Sequence, residues 1–474
     1  MLGALLLAPV LLLADIWHSP QLATVHRHPL IAAAVALGGL AIIAALAVLI
    51  GRRPMLMGAL VVVALPFRVP IQAGGTTSNL LVPLYLVVAA ASLAFIVPAL
   101  RNRADPALSS RSDGVREQPR IGWLEPLLAA YVLLYALQSV YSSDFEKALQ
   151  QMVFFYVPFA LMFALLRRLQ WTPQLIRTCL TLVVALAAVF AGVAFVEYAT
   201  KTIVLNPKLV VQNDLHTYFT VNSVFFDPDI FGRFLALVMI LLAAVLLYDG
   251  RQREQLGSVG LLAVLWGALV LTLSRSSQGA LLVGLGALAS LRWRVSRSLL
   301  GAVVVIAIGA AAVAISPKTF GLNQGLNGVS SGRAGLVSGG INLFANRPVW
   351  GYGSGSFVNE YRAHHPRTSQ TLAASHTIPV TVAAEQGVIG EVVYVALVIA
   401  ACLTLVAGAR GDPTRAAIGA AFLALVFHTL LYADFLEDPV TWTLLGIGAA
   451  LAYAGRSELA PAAVHQPRVA VAPA

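Results

Sequence analysis

The chain is short of charge and nearly free of cysteine. Asp, Glu, Lys and Arg supply 11% of its 474 residues, against 59% hydrophobic residues and a mean hydropathy of +0.82. A soluble domain carries about a quarter of its residues as charges, so a soluble fold is excluded. The two cysteines, Cys179 and Cys402, both lie in apolar runs and argue against a disulfide framework or a cysteine metal site. The net charge of +10 is spread in small clusters between apolar runs, which is not the footprint of a nucleic-acid binder. No internal repeat is visible, so symmetry gives no support to an inverted-repeat transporter. The opening run, Met1–Trp17, lacks the basic start and small-residue cleavage site of a signal peptide and is expected to stay as a first helix.

What the chain does have is apolar runs of bilayer length or slightly less, about fourteen of them. They fall near 2–17, 30–50, 55–67, 80–100, 121–141, 152–166, 178–199, 229–249, 259–273, 279–291, 299–316, 378–408, 414–432 and 439–454. The expected fold is all-α and polytopic. Arginine clusters recur in alternate connections: Arg52/Arg53, Arg101 to Arg120, Arg167/Arg168/Arg177, Arg251/Arg253, Arg292 to Arg297, Arg410/Arg415, and Arg456. The facing short loops hold only Arg27, Arg68, Lys147 and Arg275. The positive-inside bias then puts the N-terminus and the clusters in the cytoplasm, and segments 200–228 and 317–377 outside. The expected organisation is N-terminal membrane helices over 1–200 with a cytoplasmic linker at 101–120, a second membrane region over 201–454 containing the outer loop 317–377, and a disordered cytoplasmic tail at 455–474.

Four constellations carry possible chemistry. Leu271-Thr-Leu-Ser-Arg275-Ser-Ser-Gln278 lies between two short apolar runs. Its arginine either reaches up to lipid headgroups or pairs with something anionic below the surface. Phe225-Phe-Asp227-Pro228-Asp229 spells a helix N-cap followed by proline at the first helical position, and Asp229 and Arg233 are spaced i,i+4 for an ion pair. That structural account suffices for both aspartates, while Arg233 would be buried among helices. The long loop holds Ser331-Gly-Arg333-Ala-Gly335 and then Asn346-Arg-Pro-Val-Trp350-Gly-Tyr-Gly-Ser-Gly-Ser-Phe357. Its glycines fit neither dinucleotide nor Walker spacing and read as tight turns, and Leu336, Val337, Ile341 and Phe344 predict a short helix lying on the membrane. Last come Ser375-His376-Thr-Ile-Pro379 and Glu385-Gln-Gly387-Val-Ile-Gly390. A neutral imidazole at His376 is able to take a proton from a hydroxyl; an ordinary loop histidine is the alternative, with His364 and His365 close by. Nine positions apart on an unbroken helix, His376 and Glu385 face opposite ways, so no dyad follows.

In order, spacing and sidedness, the segments from Phe225 to Gly390 resemble the O-antigen ligase and O-antigen polymerase family of bacterial membrane proteins. The resemblance implies a GT-C-like, all-helical glycosyltransferase of the bacterial cytoplasmic membrane with no cofactor and no required metal. Such enzymes move a glycan from undecaprenyl pyrophosphate to an acceptor hydroxyl on a glycan, lipid or protein, outside the membrane. Carried over, Arg275 and Arg333 would hold the donor pyrophosphate with Arg233 as a third cation. His376 would be the base or would orient the acceptor, and Asp227, Asp229 and Glu385 would support them. The family commonly has Asn where this chain has Asp229 and Thr377. The motifs do not separate ligase from polymerase. A permease or lipid flippase is the alternative from another class, and it would put ionisable residues at mid-helix, where candidates such as Glu197 are scarce.

Overall fold

The computed structural model describes residues 10, 14, 27–73, 76–104, 122–204, 209–210, 213, 218–248, 252–293, 333–365 and 375–459. The expected runs at 2–17 and 299–316, most of the linker 101–120 and residues 460–474 lie outside these. In chain order the helices are α1 (Pro29–Arg52), α2 (Leu56–Ala64), α3 (Val82–Ala104), α4 (Leu124–Ser139), α5 (Phe145–Gln151), α6 (Val157–Arg168), α7 (Pro173–Thr200), α8 (Pro228–Tyr248), α9 (Gln252–Leu271), α10 (Arg275–Arg292), α11 (Arg333–Asn346), α12 (Phe357–His364), α13 (Ile378–Val406), α14 (Pro413–Thr429) and α15 (Pro439–Leu459). A π-helical turn, Met152–Tyr156, joins α5 to α6. α3 runs through Ala104 into the expected linker, and α15 runs past residue 455 to Leu459.

Five helical stretches are long and apolar enough to cross a membrane: Pro29–Arg52, Phe145–Arg168, Pro173–Thr200, Pro228–Tyr248 and Ile378–Val406. Shorter apolar helices accompany them, among them Leu124–Ser139 and Pro439–Ala454. Large apolar side chains such as Leu30, Val35, Leu133, Val189 and Leu403 are left uncovered on the outside of the bundle, as helices facing hydrocarbon require. The described chain is helical with one exception: β1 (Val69–Ala73) pairs antiparallel with β2 (Thr76–Leu80), with Val69 opposite Leu80. Gly74-Gly75 between two short runs is hairpin spelling, and the hairpin fills the short connection expected between the runs at 55–67 and 80–100.

Helix starts follow from the local sequence. Thr172 caps α7 by accepting from the Leu175 N–H, and Asp412 caps α14 by accepting from the Thr414 and Arg415 N–H groups, each followed by proline. That pairing of acceptor side chain and pre-set φ removes the orphan donors of a first turn. The centre of the described bundle is α8 packed on α9, α10 and α14, with α10 against α14, α6 against α15, and α4 and α11 against α13. Gly232 lets α8 close on the start of α10: a Cβ there would lie 2.8 Å from Ser277 Oγ and 3.1 Å from Thr272 Oγ1. Small residues at such contacts bring backbones together and let hydroxyls bond across helices. The starts of α8, α10, α13 and α15 and the end of α14 therefore meet at one end of the bundle.

Candidate functional site

Asp227 stands ahead of α8 and accepts from the Asp229 N–H at 2.7 Å. Burial, and next the neighbouring Asp229, push its carboxyl up to about 6. Asp229 turns toward α10. Its Oδ1 accepts from the Ser274 hydroxyl and, at 3.1 Å, from that of Ser276. Its Oδ2 lies 3.6 Å from Arg333 Nη2 at the start of α11. Arg333 Nη1 donates to the Leu431 carbonyl at 2.6 Å, and the Thr377 hydroxyl donates to the adjacent Leu430 carbonyl at 3.1 Å. One turn after α14 thus anchors both the arginine and the segment that carries His376.

His376 sits just ahead of α13 with φ 58, and its ring centroid is 6.0 Å from that of Tyr432. Its Nδ1 is buried with no hydrogen-bond partner. Burial, and next the Arg333 charge, hold its pKa below the ordinary 6.5, which keeps the imidazole neutral and able to accept a proton. Among the described residues the non-glycine positions with positive φ are Lys201, Ser223, Leu273, His376 and Asp434. Leu273 adjoins Ser274, and Asp434 lends its carbonyl to Arg233, so three of the five belong to this end of the bundle. Such backbone costs persist where the surroundings over-determine them, often at functional sites. Arg275 opens α10 behind the Ser274 cap. Its side chain is exposed, with no ion pair to a described residue.

Arg233 is placed otherwise than the helical spacing predicted. It pairs not with Asp229 but with Asp438, at 2.8 Å, both side chains being 3% exposed. It also donates to the Asp434 carbonyl at 3.0 Å and lies 5.9 Å from the Tyr432 ring. The reason is that Asp229 faces the serines of α10 and Arg333, while Arg233, one turn further along α8, faces the α14–α15 connection. Its charge is neutralised, and removing either partner of such a buried pair costs about 3–5 kcal/mol.

Glu385 belongs to a separate junction. Its two carboxylate oxygens accept from the Gly355 N–H at 2.9 Å and the Phe357 N–H at 3.0 Å, and no bond joins it to His376. Two carbonyls of α13 bond this loop as well: Ala384 accepts from Tyr352 N–H at 3.3 Å and Glu385 from Gly353 N–H at 2.8 Å. Gly351, Gly353 and Gly355 all have positive φ, the turn geometry that side chains disfavour. Gly387 breaks α13 at φ 65, ψ −167, and a Cβ there would lie 2.2 Å from the Val349 carbonyl oxygen. α11 docks beside this junction through Leu336 and Leu343, which are buried, whereas Ile341 is exposed.

Sequence reasoning passed over His428, Tyr432, Asp434 and Asp438. His428 reads as part of an apolar run, so its type alone gave little signal. Asp438-Pro439 repeats the spelling of Asp227-Pro228 and was a usable one. Among the described residues no group of three or more His, Cys, Asp or Glu side chains is arranged to hold a metal ion.

Residues 260–395 match the family model described as O-antigen ligase. Over this stretch, less than a third of the chain, the protein is similar to the O-antigen ligase family. The matched stretch runs from within α9 to within α13 and contains Arg275, Arg333, His376 and Glu385; Asp227, Asp229 and Arg233 precede it, and His428 to Asp438 follow it. A search of curated proteins finds no match. The O-antigen ligase family implies a glycosyl-transfer enzyme with lipid-linked glycan and acceptor substrates, and with the apolar helices it gives an integral membrane protein with a glycosyltransferase-like role in O-antigen assembly.

Proposed function

We propose that this protein transfers a glycan from undecaprenyl pyrophosphate to an acceptor hydroxyl at the outer face of the bacterial cytoplasmic membrane, as a polymerase or ligase, without a metal. The observation that carries the reading is the meeting of a cation with spare hydrogen-bonding capacity, Arg333, and a neutral histidine, His376, on the same turn at Leu430 and Leu431. The acceptor oxygen attacks the anomeric carbon, and the bond from that carbon to the pyrophosphate oxygen breaks. The electron pair leaves on pyrophosphate, and the acceptor proton passes to the His376 imidazole. Charge grows on the leaving group, where arginine forks pair bidentately with phosphate oxygens. Arg333 spends one N–H on a carbonyl and a loose 3.6 Å contact on Asp229, which leaves donors free, and Arg275 adds an exposed second cation. Arg233, already paired with Asp438, supports the frame in this reading and is not a third donor ligand. Asp227 and Asp229 likewise act on the frame, by capping α8 and aiming Arg333, and Glu385 acts on the loop.

The test is incubation of the purified protein with an undecaprenyl-pyrophosphate-linked glycan and an acceptor. Free undecaprenyl pyrophosphate should appear in step with glycosylated acceptor and persist in the presence of a chelator. Transport of the donor across a vesicle membrane without release of pyrophosphate lipid would replace this reading with a flippase.

A further inference from the structure

We propose that His428 is a positioning residue for donor binding, acting through Ser277 and Asp229 on Arg333; the proposal rests on the transferase reading above. His428 is fully buried near the end of α14, and its Nε2 lies 3.3 Å from the Ser277 hydroxyl in the first turn of α10. That hydroxyl also lies 3.1 Å from the Asp229 carbonyl and 2.8 Å from Ser274 Oγ. Ser274 in turn bonds Asp229 Oδ1, and the other oxygen of that carboxylate faces Arg333.

Counting protons fixes the direction of the chain. A serine hydroxyl has one hydrogen to give. That of Ser274 goes to the Asp229 carboxylate, the strongest acceptor in reach. That of Ser277 goes to the Asp229 carbonyl. Ser277 therefore has nothing left to donate to His428, and the imidazole must be the donor, through Nε2–H. The other nitrogen agrees: Nδ1 is buried without a partner. A bare lone pair in that position is tolerated more readily than an orphaned N–H. The histidine thus ties the first turn of α10 to the end of α14 with one directed bond, while Ser277 itself bonds α8. This turn carries both the serines that fix Asp229 and the exposed Arg275. On its other side the ring lies 5.4 Å from Tyr432, whose ring also neighbours His376.

The experiment uses the full-length protein with an undecaprenyl-pyrophosphate-linked glycan, comparing His428→Leu, His428→Gln and Ser277→Ala. Leucine fills the volume without a donor, whereas the glutamine amide supplies N–H groups near the place of Nε2–H. His428→Leu and Ser277→Ala should each raise the donor KM roughly tenfold, the effect of losing one hydrogen bond of ordinary strength, with kcat and acceptor KM little changed. His428→Gln should recover most of that loss. In an Arg333→Ala background His428→Leu should add nothing further, since residues in one network are non-additive. Thermal unfolding of each variant identifies misfolding, and Ser277→Ala, the smaller change, carries the test where His428→Leu does not fold. A donor KM that stays normal in folded His428→Leu, or an effect undiminished without Arg333, overturns the proposal. Absence of pyrophosphate lipid release by the wild-type protein sinks the transferase reading and this proposal together.

Discussion

Two polar clusters lie at the same end of the bundle, and they differ in how much of their bonding capacity is spent. At Glu385 the carboxylate is used: both oxygens receive backbone N–H groups, and two neighbouring carbonyls of α13 receive two more. The Arg233–Asp438 pair is likewise closed and buried. Around His376 the capacity is open. Nδ1 lacks a partner, Arg333 holds Asp229 only at 3.6 Å with about a third of its side chain exposed, and Arg275 is exposed without a described ion-pair partner. Both clusters are made of charged residues that a sequence motif would rank alike. Spent capacity belongs to the frame, and unspent capacity is where a ligand adds binding energy.

The strongest way to break this comparison is at His376. His376→Ala should cut transfer by about a hundred- to ten-thousand-fold, the usual contribution of a positioned base, while donor binding stays near normal. Because burial and Arg333 lower its pKa from 6.5, the acid limb of wild-type activity should lie below pH 6.5, where the imidazole takes up its proton. Removing the cation in Arg333→Ala should move that limb upward, and the limb should be missing from residual His376→Ala activity. A pH–rate profile of the three proteins checks this, and near-normal turnover by His376→Ala would return the histidine to the frame. His364→Ala and His365→Ala serve as controls and should keep most activity.

A smaller effect is expected at the open cations. Arg275→Lys keeps the charge and loses the fork. One charge-assisted bond is worth about 1.5–3 kcal/mol, so donor affinity should fall roughly ten- to a hundredfold in Arg275→Lys and in Arg333→Ala. Donor-binding titrations of folded protein measure it, and unchanged affinity in both variants removes them from the donor site.

The smallest effect on chemistry should come from Glu385. In Glu385→Gln an amide N–H₂ meets one of the two backbone donors, costing about 1–3 kcal/mol of stability with turnover per folded molecule nearly kept. Unfolding midpoints beside specific activity separate the two. A large loss of turnover at unchanged stability would move Glu385 into the site.

The helices were legible in the sequence because apolar length is a direct physical requirement of the bilayer, and Asp227-Pro228 announced a helix start because capping is local chemistry. The hairpin at Val69–Leu80 was passed over although Gly74-Gly75 marks it, since a stretch this short between the runs at 55–67 and 80–100 reads as a plain connecting loop. The Asp229–Arg233 pairing failed for the opposite reason. Helical spacing reports which side chains are near within one helix and is blind to the serines of α10 and to Asp438, which outcompete it. Arg333, His376 and the Leu430–Leu431 turn come together only through tertiary packing. No spacing rule links residues so far apart, and the resemblance that named Arg333 and His376 stopped at Gly390, short of His428 and Tyr432.

The break at Gly387 has a mechanical meaning. Carbonyls of Ala384 and Glu385 that an unbroken helix would spend on its own next turn are given to the glycine loop, and Val388 N–H reaches back to the Pro348 carbonyl at 2.7 Å. Loop and helix are spliced strand to strand, like two ropes, and parting them breaks these bonds together. A displacement of the 348–357 loop is therefore transmitted to the first turns of α13, and with them to His376, as a rigid linkage rather than absorbed as slack.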